Sequence, residues 1–348
     1  MGVSGLYKLI RKYAPECERR AHLSTLTRKR VGVDALGHAY RFAVVQRSGW
    51  VRLFITAMAE MVKYRVHPIV VFDGQAPKLK EEEQKKRYDA NKSLETRADQ
   101  LEIELKEYIT GGETTETLIK SMQTFQYPIL FKVDKEKYVN ADHIRGRITK
   151  LRSQSVKFGE DEMNVLRELL EAAGIPHVTA PGEAEEYCAK HFDYVYSADS
   201  DVLAHGGQVI TQIKNGVYTM FSHSDILTSL DLTRESFVDL CILLGTDYNS
   251  NIPGIGPVRA LQLIQNYGTI EKLPESFANK PLNVDHIAVD EIRDIFNRSV
   301  DKNETEDMYH IVADRDWCVD TFSRYNVPMH LADKFCTFSK VVFAPPKE

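Results

Sequence analysis

Seven acidic residues stand where a chain seldom leaves a carboxylate without a use for it. Asp34 closes the apolar run Val31-Gly32-Val33, and Asp73 closes Ile69-Val70-Val71-Phe72. Tyr194-Val195-Tyr196 runs out through Ser197-Ala198 into Asp199 and Asp201, two aspartates with one small residue between them. Glu183 and Glu185 lie in Ala180-Pro181-Gly182-Glu183-Ala184-Glu185-Glu186, and Asp247 lies in Gly245-Thr246-Asp247-Tyr248. An unpaired buried charge is costly, so such a group needs a helix N-terminus, a cationic side chain or a bound cation. A single Asp-x-Asp fits turn chemistry as well as it fits metal binding. Repetition of one pattern at several strand ends favours the cation. An all-oxygen donor set selects Mg²⁺ or Mn²⁺, since zinc takes His or Cys. Two such ions, about 3.5–4 Å apart, are the usual arrangement for in-line attack on a phosphodiester.

These acids can converge only if the elements that carry them share an edge. The apolar runs ending at Asp34 and Asp73 are separated by a periodic helix over about 50–65, with Phe54, Ile55, Met58, Met61 and Val62 as its buried stripe. That is β-α-β, the unit of a parallel sheet, and in such sheets ligands gather at the carboxyl ends of the strands. The spacing predicts further helices over 163–173, 235–244 and 258–267, and a hairpin over 208–221 turning at Asn215-Gly216. The Pro181-Gly182-Glu183 stretch reads as a helix start, where the positive end of the dipole favours acids; capping alone would account for one of them. The predicted class is α/β, a central mostly parallel sheet flanked by helices. The first thirty residues read as a helical arm followed by a basic turn, Arg28-Lys29-Arg30.

The totals fit a globular protein. The chain has 348 residues, 43% hydrophobic and 27% charged, and no apolar run long enough to span a membrane. Cys17, Cys188, Cys241, Cys318 and Cys336 are odd in number and scattered, as reduced thiols of an intracellular protein are, and form neither a zinc site nor a disulfide frame. The formal net charge of -5 argues against nucleic acid as a partner if taken as an average. The charge is uneven, however. Residues 78–108 are helix-prone and highly charged, 109–140 are less regular, and Arg145, Arg147, Lys150, Arg152 and Lys157 fall in a stretch with no acid from His143 to Gly159. A cationic run without counter-charge suits phosphate binding. The Gly254-Ile255-Gly256-Pro257 turn opens a helix and offers backbone N–H groups to a phosphate without reading a base.

Several of these stretches carry a family resemblance. Met1-Gly2-Val3-Ser4-Gly5-Leu6, Val71-Phe72-Asp73-Gly74, Ala180 to Glu185, Asp199-Ser200-Asp201, and Phe237 to Tyr248 followed by Gly254 to Pro257 resemble the structure-specific 5′-nuclease superfamily, with flap endonucleases nearest. The resemblance implies a PIN- or resolvase-like fold in one nuclease domain over 1–348: an N-terminal region 1–77, a helical arch or gateway inserted at 78–158, an internal region 159–270 with a helix-two-turn-helix at 245–267, and a helical part at 271–348. It implies that Asp34, Asp73, Glu183 and Glu185 hold one metal ion, and that Asp199, Asp201 and Asp247 mainly hold the other. Lys80 and Arg87 match the basic pair of the gateway helix; seven residues apart on one helix, they would reach the scissile phosphate from the same side. Tyr40 matches an aromatic that stacks on an unpaired base, and it reads equally as a core tyrosine. The turn with Gly254, Gly256 and Arg259 would grip duplex backbone and hold K⁺ through carbonyls, and Arg145, Arg147 and Lys157 would meet phosphates.

The chain departs from the pattern in places. Extra residues fall near 109–140, Pro253 and Val258 replace residues that are usually basic, and Asn251 replaces a hydroxyl used on K⁺. The sliding-clamp peptide is not found. The implied activity is Mg²⁺-dependent cleavage of branched or flapped DNA in replication, repair or recombination, with Mn²⁺ able to substitute, at an intracellular, reducing and nuclear or other replication site. A Holliday-junction resolvase or 5′-3′ exonuclease of the same superfamily, and a non-catalytic junction-binding scaffold, are the alternatives. Oligomeric state is not legible.

Overall fold

The computed structural model describes residues 2–111, 113–122, 140–277, 280–282, 284, 287–298 and 313–342. The chain begins with helix α1 (Leu6–Tyr13), strands β1 (Glu18–His22) and β2 (Arg30–Asp34), helices α2 (Ala35–Val45) and α3 (Trp50–Lys63), and strand β3 (His67–Phe72). Helices α4 (Glu81–Ile109), α5 (Glu116–Met122), α6 (Ala141–Gln154) and α7 (Glu160–Ala172) come before β4 (His177–Thr179). Next are α8 (Ala184–His191), β5 (Tyr194–Tyr196), α9 (Asp201–Ala204), β6 (Gln208–Lys214), β7 (Val217–Ser222), α10 (His223–Leu230), α11 (Arg234–Leu244) and α12 (Pro257–Tyr267). The two-residue strands β8 (Ser276–Phe277) and β9 (Lys280–Pro281) and helices α13 (Val289–Asn297), α14 (Arg315–Arg324) and α15 (Met329–Val342) follow.

Strands β1 to β7 form one sheet in the order β1-β7-β6-β5-β2-β3-β4. The pairs β6–β5, β5–β2, β2–β3 and β3–β4 are parallel, while β1–β7 and β7–β6 are antiparallel. The sheet is thus mixed and mostly parallel, flanked by helices. All six residues of β3 and four of the five in β2 are buried, as expected of parallel strands covered on both faces. At Gly32, midway along β2, an added Cβ would lie 2.5 Å from Phe192 Cδ2 and 2.9 Å from Cys188 Sγ. The missing side chain lets α8 settle directly on the strand that carries Asp34.

Two compact units emerge from the packing, one of residues 1–39, 51–81 and 159–348 and the other of 40–50 and 82–158. The first holds the sheet and a large core that includes Leu6, Ile69, Val195, Phe221, Leu240 and Phe296. The second has its own small core, in which Ala98, Leu101 and Leu105 of α4 meet Leu118 of α5 and Ile144, Ile148 and Leu151 of α6. Its chain segments include 40–50 as well as most of the stretch where the sequence places an insertion. Within 109–140, α5 is helical, and residues 123–139 lie outside the described residues.

Two expectations change. The N-terminal arm is not wholly helical, because Glu18–His22 adds β1 to the sheet edge, pairing Arg20 with Thr219 and Ala21 with Tyr218. Its composition, Glu-Arg-Arg-Ala-His, hides a strand that needs no buried face, and charged side chains protect such an edge. The cations of α6 and beyond also have counter-charges. Arg145 pairs with Asp142 (2.8 Å), Arg152 with Asp99 (3.1 Å) and Glu102, and Lys157 with Glu95 (3.1 Å). Except for Asp142, these acids belong to α4, so the neutralising charge comes from a packed neighbour that the linear stretch does not contain. The hairpin forms as predicted, with Asn215 (φ 53°) and Gly216 (φ 76°) both left-handed.

Helix α13 is tied to α11 through one buried acid. Asp239 of α11 is 1% exposed, takes Arg293 Nε at 2.8 Å and Nη2 at 2.6 Å, and accepts the Ile270 N–H at 3.0 Å. Arg293→Ala strands that carboxylate, so urea unfolding is expected to show a loss of about 3 kcal/mol. A loss below about 0.5 kcal/mol would mean that the pair contributes no more than an exposed one.

Candidate active site

All seven acids lie in the first unit, at strand ends, at a helix start or in a turn between helices. Asp34 is the last residue of β2, and Asp73 follows β3. Asp199 and Asp201 follow β5, the second of them opening α9, and Glu183 and Glu185 stand at the start of α8. Asp247 lies in the turn between α11 and α12, where Thr246 bridges to Asn249. Because β2, β3 and β5 run parallel and adjacent, their carboxyl ends meet at one edge.

Local hydrogen bonds orient most of these side chains. Asp34 Oδ1 accepts the Gly37 N–H at 2.8 Å and Oδ2 accepts the Ser197 hydroxyl at 2.9 Å. The same Ser197 Oγ accepts the Asp199 N–H at 3.0 Å, which ties the end of β5 to the end of β2. Asp73 Oδ1 accepts the Ala184 N–H at 2.8 Å, so this acid caps α8 from another strand. Asp199 Oδ1 accepts the Asp201 N–H at 3.0 Å. An ideal Cβ at Gly2 would fall 1.8 Å from Asp199 Oδ1 and 2.7 Å from Asp201 Oδ1; Gly2, with φ +80°, brings the N-terminal backbone directly against this pair.

The Lys80 ammonium enters the cluster. Lys80 Nζ contacts Glu183 Oε1 and lies 3.1 Å from Asp247 Oδ2. Lys80 sits on a 3-10 turn (Lys78–Lys80) that ends before α4 begins. The seven-residue spacing to Arg87 therefore does not run along one helix, as the sequence suggested. Arg87, within α4, pairs with Glu83. Tyr40 is half-buried, its ring edge-on to Phe158 at 4.9 Å. Gly254 and Gly256 are exposed, and Arg259 Nη1 donates to the Gly254 carbonyl at 2.8 Å, closing the turn it was expected to charge.

The charges feel one another throughout. Burial and the neighbouring Asp73 push the Asp34 carboxyl up to about 7. Burial also raises Asp73, with Glu183 and Asp199 adding to it. Glu185 rises well above the carboxylate range through burial and then through Asp34, Asp199 and Asp73. Asp199 is raised by burial and by Asp247, and Asp201 is raised further by burial, Asp199 and Asp247. Burial alone would lower Lys80, but Glu183, Glu185 and Asp247 reverse this and hold it firmly protonated. Every one of the seven carboxylates appears in this mutual set. Among the described residues no three His, Cys, Asp or Glu side chains already stand as one ion's ligands. The acids share a field without forming a closed cage.

Three contributors have no place in the sequence reading. Ser197 joins two strand ends, Tyr7 donates to the Asp199 carbonyl at 3.2 Å, and the Tyr248 hydroxyl donates to Glu183 Oε2. The hydroxyl just before Asp-x-Asp was a usable signal for Ser197. Nothing in the linear order links Tyr7 to residue 199.

Comparison with known proteins identifies the family. Residues 1–94 match the XPG N-terminal domain and 174–247 the XPG I-region, and all seven acids lie within these stretches. A probable RAD2-like endonuclease of Invertebrate iridescent virus 3 is 29% identical over 310 residues, spanning 79% of this chain and 81% of that one. Flap endonuclease 1 of Komagataella phaffii is 30% identical over 306 residues, spanning 81% of this chain and 72% of that one. The catalytic core of Rad2, solved in complex with a DNA substrate, has the same fold at a TM-score of 0.65 and 22% identity, covering 97% of this chain and 99% of that one. The class so defined is that of hydrolytic endonucleases. The chain belongs to the XPG/flap-endonuclease family of structure-specific 5′-nucleases.

The Asp34 shift has a checkable sign. Its folded pKa of about 7 lies above the ordinary 3.8, so between these values the folded chain holds a proton that the unfolded chain releases. Stability is therefore lost as pH rises through that window. In chelator, the melting temperature is expected to fall from about pH 5 to about pH 8, and Asp34→Asn to flatten the fall. An equal slope in both proteins would show that Asp34 is not its source.

Proposed function

We propose that the chain is a divalent-cation-dependent endonuclease that hydrolyses one phosphodiester near the single-strand/double-strand junction of branched DNA, a 5′ flap in the first instance. The observation that carries this is that seven carboxylates, from strand ends, a helix start and the α11–α12 turn, act on one another beside the Lys80 ammonium. A binding scaffold gains nothing from such a set, which repels DNA.

A divalent cation fits the residues present. The donors are all oxygen, Asp201 Oδ1 is buried with no hydrogen-bond partner among the described residues, and five of the acids are pushed toward protonation by burial and by one another. Cations among them relieve both conditions. Hard oxygen donors suit Mg²⁺, with Mn²⁺ as a substitute. Asp34, Asp73, Glu183 and Glu185 would hold one ion and Asp199, Asp201 and Asp247 the other. When bound, such ions supply Lewis acidity toward phosphate and a water of lowered pKa.

The chain's own residues supply position and charge. Lys80, held protonated by its acid neighbours, presents a cation beside the acids for the scissile phosphate, and Arg87 supplies a second positive charge to the strand being cut. Both act where negative charge grows in the transition state. Tyr40, half-buried and T-shaped to Phe158, is the candidate to stack on an unpaired base. Gly254 and Gly256 have room for a phosphodiester backbone, and the carbonyls of this turn are the candidates for K⁺. Arg145, Arg147 and Lys157 remain candidate phosphate contacts. The exposed pairs of Arg145 and Lys157 are worth at most about 1 kcal/mol and exchange readily for phosphate. Residues 78–158 are the proposed arch, of which 112 and 123–139 lie outside the described residues, and the site of action is wherever the cell processes DNA. None of the described helices is long and apolar enough to cross a membrane.

Flap, gapped and four-way DNA substrates, each with and without Mg²⁺, test the reading. Cleavage is expected on the flap, leaving 5′-phosphate and 3′-hydroxyl ends, and none in chelator. Preference for the four-way junction would favour the resolvase alternative. Asp201→Ala is expected to abolish cleavage and keep DNA binding; parallel loss of both would count for the scaffold. Lys80→Ala should slow single-turnover cleavage by about a hundredfold or more with little change in affinity. The reverse pattern would remove its role in the chemistry.

A further inference from the structure

Glu183 is held by side chains from two other parts of the chain. It is the N-cap of α8, but its side chain makes no capping bond. Its carboxylate is 6% exposed and is gripped from both ends, with Lys80 on Oε1 and the Tyr248 hydroxyl on Oε2. These two partners differ in kind. Lys80 ends a long flexible stem and is shared with Asp247. Tyr248 is rigid: its ring is 8% exposed and packs edge-on to Phe296 at 5.6 Å.

The backbone beneath Tyr248 is equally fixed. Its N–H donates to Thr246 Oγ1 at 3.1 Å, and that hydroxyl donates to Asn249 Oδ1 at 2.7 Å. Asn249 Nδ2 reaches back to the Ile242 carbonyl at 2.9 Å, anchoring the turn to the end of α11. This turn also carries Asp247. One short loop therefore supplies an acid on one side and, from the next residue, the donor that aims Glu183. A phenol has a single proton to give, and burial beside Glu183 and Asp201 keeps it in place.

We infer that Tyr248 is a positioning residue: its hydroxyl fixes the Glu183 carboxylate in the orientation that receives the divalent cation, and so sets the affinity of the acid cluster for that ion. This rests on the metal-dependent reading above and adds to it the residue that keeps Glu183 aimed when Lys80 turns to the substrate. Partners of this sort, acting through a ligand, typically change metal affinity by about tenfold to a hundredfold.

Tyr248→Phe keeps the ring and removes only the donor. Mn²⁺ binding to the protein without DNA, followed by electron paramagnetic resonance, is expected to weaken by about tenfold. Flap cleavage should fall at limiting Mg²⁺ and recover at high Mg²⁺. Phe296→Leu, which loosens the ring's packing and leaves the hydroxyl, should lower the melting temperature and weaken Mn²⁺ binding less than Tyr248→Phe does. In a Glu183→Gln background, where no buried charge is stranded and folding is protected, Tyr248→Phe should have no further effect on Mn²⁺ binding. Unchanged Mn²⁺ affinity in Tyr248→Phe overturns the inference, as does an equal loss in Phe296→Leu or an undiminished effect in the Glu183→Gln background. Wild-type protein that binds no Mn²⁺ overturns the metal-dependent reading along with it, whereas normal wild-type binding with an unaffected variant sinks the positioning role alone.

Discussion

Mutual repulsion among carboxylates is the constraint around which this protein is built. A parallel sheet delivers β2, β3 and β5 to one edge, and each strand arrives there with an acid at its tip. In water such groups would spread apart. Here burial removes the solvent that would screen them, and the backbone denies them room to separate. The outcome is a region whose natural partner is concentrated positive charge, to which the Lys80 ammonium contributes.

The protein tolerates that region because each acid is fastened to something structural. Asp34 and Asp199 share Ser197, Asp73 caps a helix it does not belong to, and Gly2 is pressed against Asp199 and Asp201. These bonds hold the side chains without neutralising them. Arg293 with Asp239 shows the contrasting solution for a buried acid, with a bidentate guanidinium that satisfies the carboxylate fully. A carboxylate paired in that way has no capacity left for a ligand. Incomplete compensation at the sheet edge is what separates a reactive site from a structural ion pair.

Much of this was legible in the chain, and the exceptions have physical causes. Apolar runs ending in aspartate announced β2 and β3, and Asn215-Gly216 announced its hairpin, because local sterics and burial decide those features. The polar stretch Glu18–His22 gave no sign of β1, since an edge strand can satisfy its backbone with little apolar surface. The cationic run from Arg145 to Lys157 looked unopposed because Glu95, Asp99 and Glu102 are distant in sequence and close only after α4 and α6 pack. Lys80 was recognised by its motif, but the 3-10 turn that separates it from α4 leaves no mark in composition. The groups that aim the acids were the least visible. Tyr7 and Tyr248 contact Asp199 and Glu183 through tertiary packing alone.

The connection between β3 and β4 has a further consequence. These strands are immediate neighbours, paired from Val70 with His177 to Phe72 with Thr179, yet roughly a hundred residues of sequence separate them. The chain leaves the sheet and returns beside its point of departure, so the excursion is closed by the ladder itself. Because loop closure grows only slowly more costly with length, such a detour can be lengthened, trimmed or exchanged while the strand register stays intact.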